Sequence, residues 1–213
     1  GWSQAYLPLG DLLLEFPDEV TADEDGYRRD LDLDQALASV TYSGSGVRFR
    51  REAFISAPHQ VLVIRLTASQ PASVSFTVRL DSQLRHTCQA GEQQLLMNGE
   101  APGHVEPSYS QERPDPVVYA EQPAERGMRF TAMVRVLPQG GSLQTLNGSL
   151  NVNRADSAVL LFTARTSFNG YNRHPWLEGT DQEGQCHQLM TDASGLSYDD
   201  LLQAHLQDHQ ALY

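Results

Sequence analysis

Residues 166–176 are the part of the sequence whose side-chain types best fit the binding of a ligand. They follow an apolar run at 158–162, and the candidate binding residues among them are Asn169, Tyr171, Arg173 and Trp176. Aromatic rings pack on the C–H faces of sugars, and planar amide or guanidinium groups hydrogen-bond to pairs of hydroxyls. This composition predicts a carbohydrate-binding loop. The alternative is a structural loop whose aromatic rings close the edge of the fold.

Five acidic residues fall within residues 18–25. Glycoside hydrolysis needs two carboxyl groups, an acid and a base or nucleophile, held at a fixed separation. Neighbouring carboxylates crowded on a flexible loop cannot hold opposed positions around a sugar. We therefore interpret this cluster as a solvated turn.

Metal and nucleophile motifs are weak. His205 and His209 are four residues apart on a predicted helix, but the Glu of a His-Glu-x-x-His zinc site is absent. The expectation is a half-buried His205 and an exposed His209, and His86 and His104 offer less. With no Gly-x-Ser-x-Gly elbow and no phosphate-binding loop, we predict no metal and no cofactor.

Cys88 is the one possible disulfide partner of Cys186, and the sequence leaves that pairing open.

Charge and hydropathy exclude two classes of partner. The 213 residues contain 15 Lys and Arg against 27 Asp and Glu, a net charge of −12. Such a surface does not suit nucleic acid or an anionic membrane, which need clustered basic residues. No apolar run approaches the roughly 18 residues of a spanning helix.

Strand patterns dominate the first 165 residues. Apolar residues alternate strictly in 74–80 and 129–137, while 61–66 and 158–162 are continuous apolar runs, as in strands covered on both faces. Roughly ten short strands are predicted on these patterns. Gly140–Gly141 and Asn147–Gly148 have the chemistry of hairpin turns. No helical pattern among the strands is long enough for a crossover, so the sequence predicts an all-β fold, an antiparallel β-sandwich.

Two regions depart from this pattern. Residues 99–126 contain five prolines and are predicted to form a long surface loop. At the C-terminus, Ser197 and Asp200 have capping-box spacing ahead of a helical stripe. The stripe consists of Tyr198, Leu201, Leu202, His205 and Leu212. We therefore assign residues 1–195 to the sandwich and 196–213 to the helical start of a linker, although the helix could equally pack on the sandwich.

A series of short motifs runs through the chain in a fixed order, at 6–14, 27–33, 47–56, 127–130, 140–141, 155–156, 166–170 and 205–212. Each motif alone is weak. Their order and spacing across nearly the whole chain resemble the N-terminal region of glycoside hydrolase family 95. The best-known members of that family are α-L-fucosidases, with some α-L-galactosidases.

The resemblance implies a large antiparallel supersandwich followed by a linker, an (α/α)6 barrel and a smaller β domain. It also implies inverting hydrolysis of a terminal α-1,2-linked L-fucose, with a Glu as acid and with Asn residues, supported by an Asp, activating the water. All these residues lie in the barrel, so none is carried over onto this chain. The family's first strands would precede Gly1, and we expect a fragment whose sheet edges are unpaired.

The first hypothesis is therefore the non-catalytic N-terminal sandwich of an α-L-fucosidase-like enzyme. Its partners would be the downstream barrel and an oligosaccharide substrate. A second hypothesis is a stand-alone carbohydrate-binding module, and a third is a related barrel enzyme such as a disaccharide phosphorylase. The resemblance slightly favours a secreted or periplasmic location, while the sequence shows no signal.

Overall fold

The computed structural model describes residues 5–17, 26–107, 109 and 114–212. Two helices and fourteen strands are present in these ranges. The strands are β1 Asp11–Glu15, β2 Arg28–Asp32, β3 Leu37–Gly44, β4 Val47–Ser56, β5 Val61–Ala68, β6 Val74–Asp81, β7 Arg85–Ala90, β8 Gln94–Glu100, β9 His104–Val105, β10 Val117–Val118, β11 Arg129–Gln139, β12 Ser142–Leu146, β13 Ser149–Ala155 and β14 Ser157–Thr166. The helices are α1 Gln182–Ser194 and α2 Tyr198–Leu212, and a short 3-10 turn covers Pro123–Glu125.

Two antiparallel sheets form the body of the molecule. The larger has eight strands in the order β2-β3-β4-β5-β14-β11-β8-β7, and the smaller has four in the order β1-β6-β13-β12. Neighbours along the chain are joined by tight turns such as Asn147–Gly148, whose φ angles of 52° and 74° suit a hairpin. The predicted all-β antiparallel sandwich is confirmed.

The main core lies between the two sheets. Alternate residues of β6, which include Phe76 and Val78, point inward and meet Leu95 of β8, Val134 of β11 and Leu160 of β14. The side-chain period of a strand is two, so the strict alternation in the sequence places one apolar face in this core.

A second core lies on the opposite face of the large sheet. Met133 of β11 and Leu161 of β14 are fully buried there against Cys186 and Met190 of α1. The central strands are therefore covered on both faces, which explains the continuous apolar run at 158–162. That run correctly predicted a second cover, but α1, within the range assigned to the sandwich, was not predicted. The buried residues of α1 include the small Cys186 and Ala193, so this helix shows only a weak apolar stripe in the sequence.

Helix α2 begins with the predicted capping box. The Asp200 N–H donates to Ser197 Oγ at 3.1 Å, and the Ser197 N–H donates to Asp200 Oδ2 at 3.2 Å. Leu201 and His205 are buried against the large sheet, so the helix packs on the sandwich. Leu212, the last residue of the predicted helical stripe, is 84% exposed, so the contact with the sheet ends before it.

The described part of the predicted loop at 99–126 is an ordered excursion anchored to the sheet. The Gly103 N–H donates to the Val118 carbonyl at 2.9 Å, and the Ala101 N–H donates to Met128 at 2.8 Å. A Cβ at Gly103 would lie 1.9 Å from the Glu125 carbonyl oxygen, so no larger residue fits this close approach. These contacts hold the 99–126 excursion beside the beginning of β11.

Candidate functional site

The loop 167–181, which joins β14 to α1, is clamped at both ends. Buried Ser167 donates its hydroxyl to the Pro175 carbonyl at 2.7 Å and accepts the Arg129 N–H at 3.0 Å. The Thr180 N–H donates to the Ser167 carbonyl at 3.1 Å. A Cβ at Gly179 would lie 2.2 Å from the Pro175 oxygen, so the two arms of the loop touch there.

His174 is the centre of this loop. Its Nδ1 accepts the backbone N–H groups of Trp176 at 3.2 Å and Leu177 at 3.3 Å. The proton is therefore on Nε2, which donates to the Ala124 carbonyl at 2.9 Å. The His174 N–H donates to Glu178 at 3.0 Å. A single side chain thus ties the loop to the excursion around residue 124.

Two of the four predicted binding residues hold the loop together. Asn169 donates its amide to the Glu178 carbonyl at 2.8 Å, and Arg173 pairs with the Glu178 carboxylate at 3.0 Å. The His174 N–H and the Arg173 guanidinium lower the pKa of Glu178 below its ordinary value. Tyr171, in contrast, is 97% exposed at the tip of the loop.

Trp176 is half-buried and carries an arginine on its ring. The Arg126 guanidinium lies 3.6 Å from the ring centroid, and that of Arg129 lies 5.1 Å away. Arg126 also donates its Nε–H to Glu100 at 3.1 Å, and Arg85 lies 3.7 Å from the same carboxylate. The ring face next to Arg126 is therefore occupied by a cation rather than open to a sugar.

A groove of about 440 Å³ opens beside Trp176, between β7, β8 and the N-terminus of α1. In it, Asn98 accepts the Thr131 hydroxyl at 2.5 Å and donates to Glu183 at 2.9 Å. Its wall also includes Arg85, Thr87 and Glu100. Hydroxyl, amide, guanidinium and carboxylate groups thus share one open groove, and such a set can hydrogen-bond to a polyhydroxylated ligand.

Most residues of this groove were not singled out from the sequence. Asn98 and Glu100 of β8 meet Thr131 and Arg129 of β11 because the antiparallel register places them opposite each other. The polar residues that follow the short apolar run at 95–97 were the available signal. Which strand lies beside β8 is a property of the sheet order, which the sequence pattern does not contain.

The histidine pair on α2 has a structural role. His205 is buried, stacks on Phe54 with 4.8 Å between ring centroids, and donates Nε2–H to the Gln35 carbonyl at 2.9 Å. His209, predicted to be exposed, is half-buried and donates to the Leu33 carbonyl at 2.9 Å. Both histidines therefore fasten α2 to the turn between β2 and β3.

Other candidates are less informative. Cys88 is exposed and Cys186 is buried, both are free thiols, and burial raises the pKa of Cys186 to about 11. Within the described ranges, no group of three or more His, Cys, Asp or Glu side chains could hold a metal ion. The acidic cluster at 18–25 lies outside the described residues.

No helix in the described part of the chain has both the length and the apolar character needed to cross a membrane.

Comparison with known proteins identifies the family. Residues 1–171 match the family described as "Glycosyl hydrolase family 65, N-terminal domain". The chain belongs to this family. Alpha-L-fucosidase 2 of Arabidopsis thaliana is 35% identical over 99% of this chain and 26% of its own length. A protein of Aspergillus niger named "Probable alpha-fucosidase A" is 29% identical over 98% of the chain and 25% of its own length.

This glycosyl hydrolase N-terminal domain also has a structural counterpart. A solved structure from the human microbiome, provisionally named a kojibiose phosphorylase, shares 12% identity with a TM-score of 0.54. It matches over 93% of this chain and 27% of its own length, and it supports the fold. The domain spans about a quarter of the length of these proteins. Membership of family 95 in particular stays a prediction.

Proposed function

We propose that this chain is the non-catalytic N-terminal sandwich of a family 95 glycoside hydrolase of the inverting α-L-fucosidase type. The substrate would be an oligosaccharide that ends in an α-1,2-linked L-fucosyl or an α-L-galactosyl residue. The observation that carries the proposal is the 35% identity to a plant alpha-L-fucosidase along 99% of the chain. A fungal protein with a fucosidase name aligns over 98% of it, so the likeness covers the whole domain.

The state of the carboxyl groups supports a non-catalytic role. A general acid for glycoside hydrolysis needs a raised pKa and a carboxyl partner across the sugar. In the groove, Glu100 is paired with Arg126 and Arg85, and Glu183 accepts a hydrogen bond from Asn98. The shifted carboxyl pKa values of the described residues are all lowered, those of Asp30, Glu52, Glu178 and Asp200. These last four carboxylates are held as anions by their hydrogen-bond partners.

The domain would contribute to substrate recognition through the loop 167–181 and the groove beside it. Tyr171 stands in solvent at the tip of a loop that Ser167, His174 and Glu178 hold rigid. A rigid loop presents an aromatic ring at little conformational cost, which is how binding sites gain affinity from preorganisation. Tyr171 is therefore the residue of the predicted four that we expect to reach a substrate or the barrel.

The direct test is hydrolysis of nitrophenyl α-L-fucoside and of 2′-fucosyllactose by the purified 213-residue chain and by the longer protein of the same gene. We expect turnover by the longer protein alone. Turnover by the short chain that survives repurification would place catalytic residues within it and contradict the proposal. A longer protein that cleaves neither substrate would contradict the assigned sugar.

The loop is tested by substitutions in the longer protein. Tyr171→Ala should raise KM for the oligosaccharide without lowering the melting temperature, because the ring makes no stabilising contact. Tyr6→Ala, which removes a ring that is 95% exposed elsewhere, is the matched control. Arg173→Ala should act through loop stability, because it breaks the pair with Glu178. Unchanged kinetics in Tyr171→Ala, Arg173→Ala and Trp176→Ala would exclude a role in recognition.

The groove beside Trp176, with its hydrogen-bonding side chains, also favours a second candidate, a carbohydrate-binding module that works without a catalytic domain. The two proposals differ in the behaviour of the isolated chain. A module should bind fucosylated oligosaccharides by itself, with NMR shifts at Asn98, Thr87 and Arg85 of the groove. A sandwich that supports a barrel should show its effect on sugars only as part of the longer protein.

A further inference from the structure

The groove beside Trp176 has a polar floor built from three neighbouring strands. Side chains two residues apart on a strand point to the same face of the sheet, so the register of β7, β8 and β11 brings two polar rows together on the face where α1 packs. The rows are Arg85, Glu100 and Arg129, and then Thr87, Asn98 and Thr131. The groove is therefore a place where charge and hydrogen-bonding capacity can be counted side chain by side chain.

The two carboxylates that line the described groove both have partners. Glu100 accepts the Arg126 Nε–H at 3.1 Å and lies 3.7 Å from Arg85. Glu183 accepts the amide of Asn98 at 2.9 Å. Neither carboxylate is left to attract a cation, and neither occupies the remaining arginine of the groove.

That remaining arginine, Arg129, has no acceptor. Its Nε–H is buried without a hydrogen-bond partner, as are those of Arg51 and Arg135. Arg51 and Arg135 nevertheless bond to other side chains through their terminal nitrogens. Within the described ranges, the guanidinium of Arg129 makes no such bond and faces the Trp176 ring at 5.1 Å. An unpaired guanidinium on the wall of a groove favours an anion, above all a planar carboxylate that can accept two N–H groups at once.

The other accessible side chains of the groove suit hydroxyl groups. The Thr87 hydroxyl can donate and accept, and the Asn98 amide keeps a second N–H beyond the one that Glu183 accepts. A neutral sugar would use these groups and leave Arg129 unpaired. A sugar with one carboxylate would use both sets. A phosphate monoester, with a charge of about −1.5 to −2, would bring more charge than one unpaired guanidinium balances.

We propose that the groove binds a sugar acid, a glycosyl residue of the uronic acid class, with its carboxylate paired to Arg129. Thr87 and Asn98 would bond to hydroxyls of the same ring. The inference rests on the proposed role of the groove in carbohydrate recognition and adds a chemical class to it. The acidic residue would be a further unit of the oligosaccharide, beside the terminal fucosyl or galactosyl residue.

NMR titration of the 213-residue chain with matched sugars tests the charge preference. D-glucuronate and D-galacturonate differ from D-glucose and D-galactose only in the carboxylate at C6. We expect at least one acid to bind about tenfold or more tightly than its neutral counterpart at low salt, with shifts at Thr87, Asn98 and Arg129. The preference should shrink when the salt concentration rises from about 20 mM to about 500 mM. Equal binding of acid and neutral sugar in both pairs would overturn the inference.

Substitutions assign the preference to one side chain. Arg129→Gln should abolish the preference for the acid and leave the weaker binding of the neutral sugar nearly unchanged. Arg129→Lys keeps the charge but loses the planar fork, so it should retain only part of the preference, and it replaces Arg129→Gln if that variant does not fold. Arg48→Gln, at an exposed arginine of β4, is the matched control and should keep the full preference. A preference that survives in Arg129→Gln would overturn the inference.

The same titration of the longer protein, followed on the ligand signals, distinguishes two sources of the carboxylate. An Asp or Glu side chain elsewhere in the longer polypeptide could pair with Arg129 instead of a sugar. The preference would then be present in the 213-residue chain and absent from the longer protein, which would overturn the inference. The readout is binding, so it does not depend on which fucoside the longer protein cleaves. Shifts in the groove with neutral sugars alone would support its proposed role in recognition and overturn only the acidic class.

Discussion

The two halves of the eight-stranded sheet are both antiparallel, but they differ in what covers them. In the β5–β14–β11 half, the small sheet covers one face and α1 covers the other. In the β2–β3–β4 half, α2 covers one face, and the other carries exposed Leu31 and Ile55. The stability that an apolar residue in a strand contributes therefore depends on whether a second layer of structure covers that face of the sheet.

The largest effects should come from the doubly covered half. Leu160 and Leu161 are adjacent on β14, fully buried and directed to opposite faces. Replacing either by Ala should reduce the free energy of unfolding by about 2–5 kcal/mol, because each leaves a cavity in a separate core. Urea unfolding of both variants measures this. A loss below about 1 kcal/mol at one of them would mean that its face is not packed.

The next effect concerns the ion pair under α2 in the other half. Glu52 is buried and accepts hydrogen bonds from Arg65 Nε at 2.9 Å and Arg50 at 3.0 Å. Burial raises the pKa of Glu52, but the two arginines outweigh it and the net pKa lies below 4.5. The pair therefore stabilises the fold above the unfolded pKa, and this stability is lost as the pH falls through the folded pKa.

Glu52→Gln should accordingly lower the free energy of unfolding by about 1.5–3 kcal/mol near pH 7. The difference from the parent protein should shrink as the pH falls through the lowered folded pKa of Glu52, because the parent loses its charge there. Urea midpoints across this range provide the measurement. A difference that does not change with pH would show that Glu52 acts by packing rather than by charge.

A smaller effect is expected at the start of α2. Ser197→Ala removes the hydroxyl that accepts the Asp200 N–H, so it should cost about 1 kcal/mol of stability. Ser142→Ala, at an exposed position on β12, is the control and should stay within about 0.5 kcal/mol. Equal unfolding midpoints for the two variants would mean that this cap does not hold the helix on the sheet.

The smallest effect is expected on the face of β2, β3 and β4 that α2 does not cover. Ile55→Ala in the isolated chain should change the free energy of unfolding by less than about 0.5 kcal/mol, because the side chain is 70% exposed. The matched substitution at Leu161, which is fully buried, sharpens the contrast between the two halves. A loss above about 1 kcal/mol at Ile55 would show that this face is already covered in the isolated chain.

Local pattern was enough to predict the strands, the hairpins and the capping box. The alternation in 74–80 became β6, Asn147–Gly148 became a tight turn, and Ser197 caps α2. These features depend on side-chain period, on positive φ and on short-range hydrogen bonds, all of which act between residues close in sequence. The continuous run at 158–162 also indicated a second covering layer, although it could not identify α1 as that layer.

Only the tertiary structure decided which residues form the groove and what the loop does. Asn98 meets Thr131, and Glu100 meets Arg126, across 33 and 26 residues of sequence. Asn169 and Arg173 carry the right chemistry for a sugar, yet they bind Glu178 and stabilise the loop. Residue type determines which hydrogen bonds a side chain can make. The order and register of the strands determine which partner is within reach, and that is a property of the folded sheet.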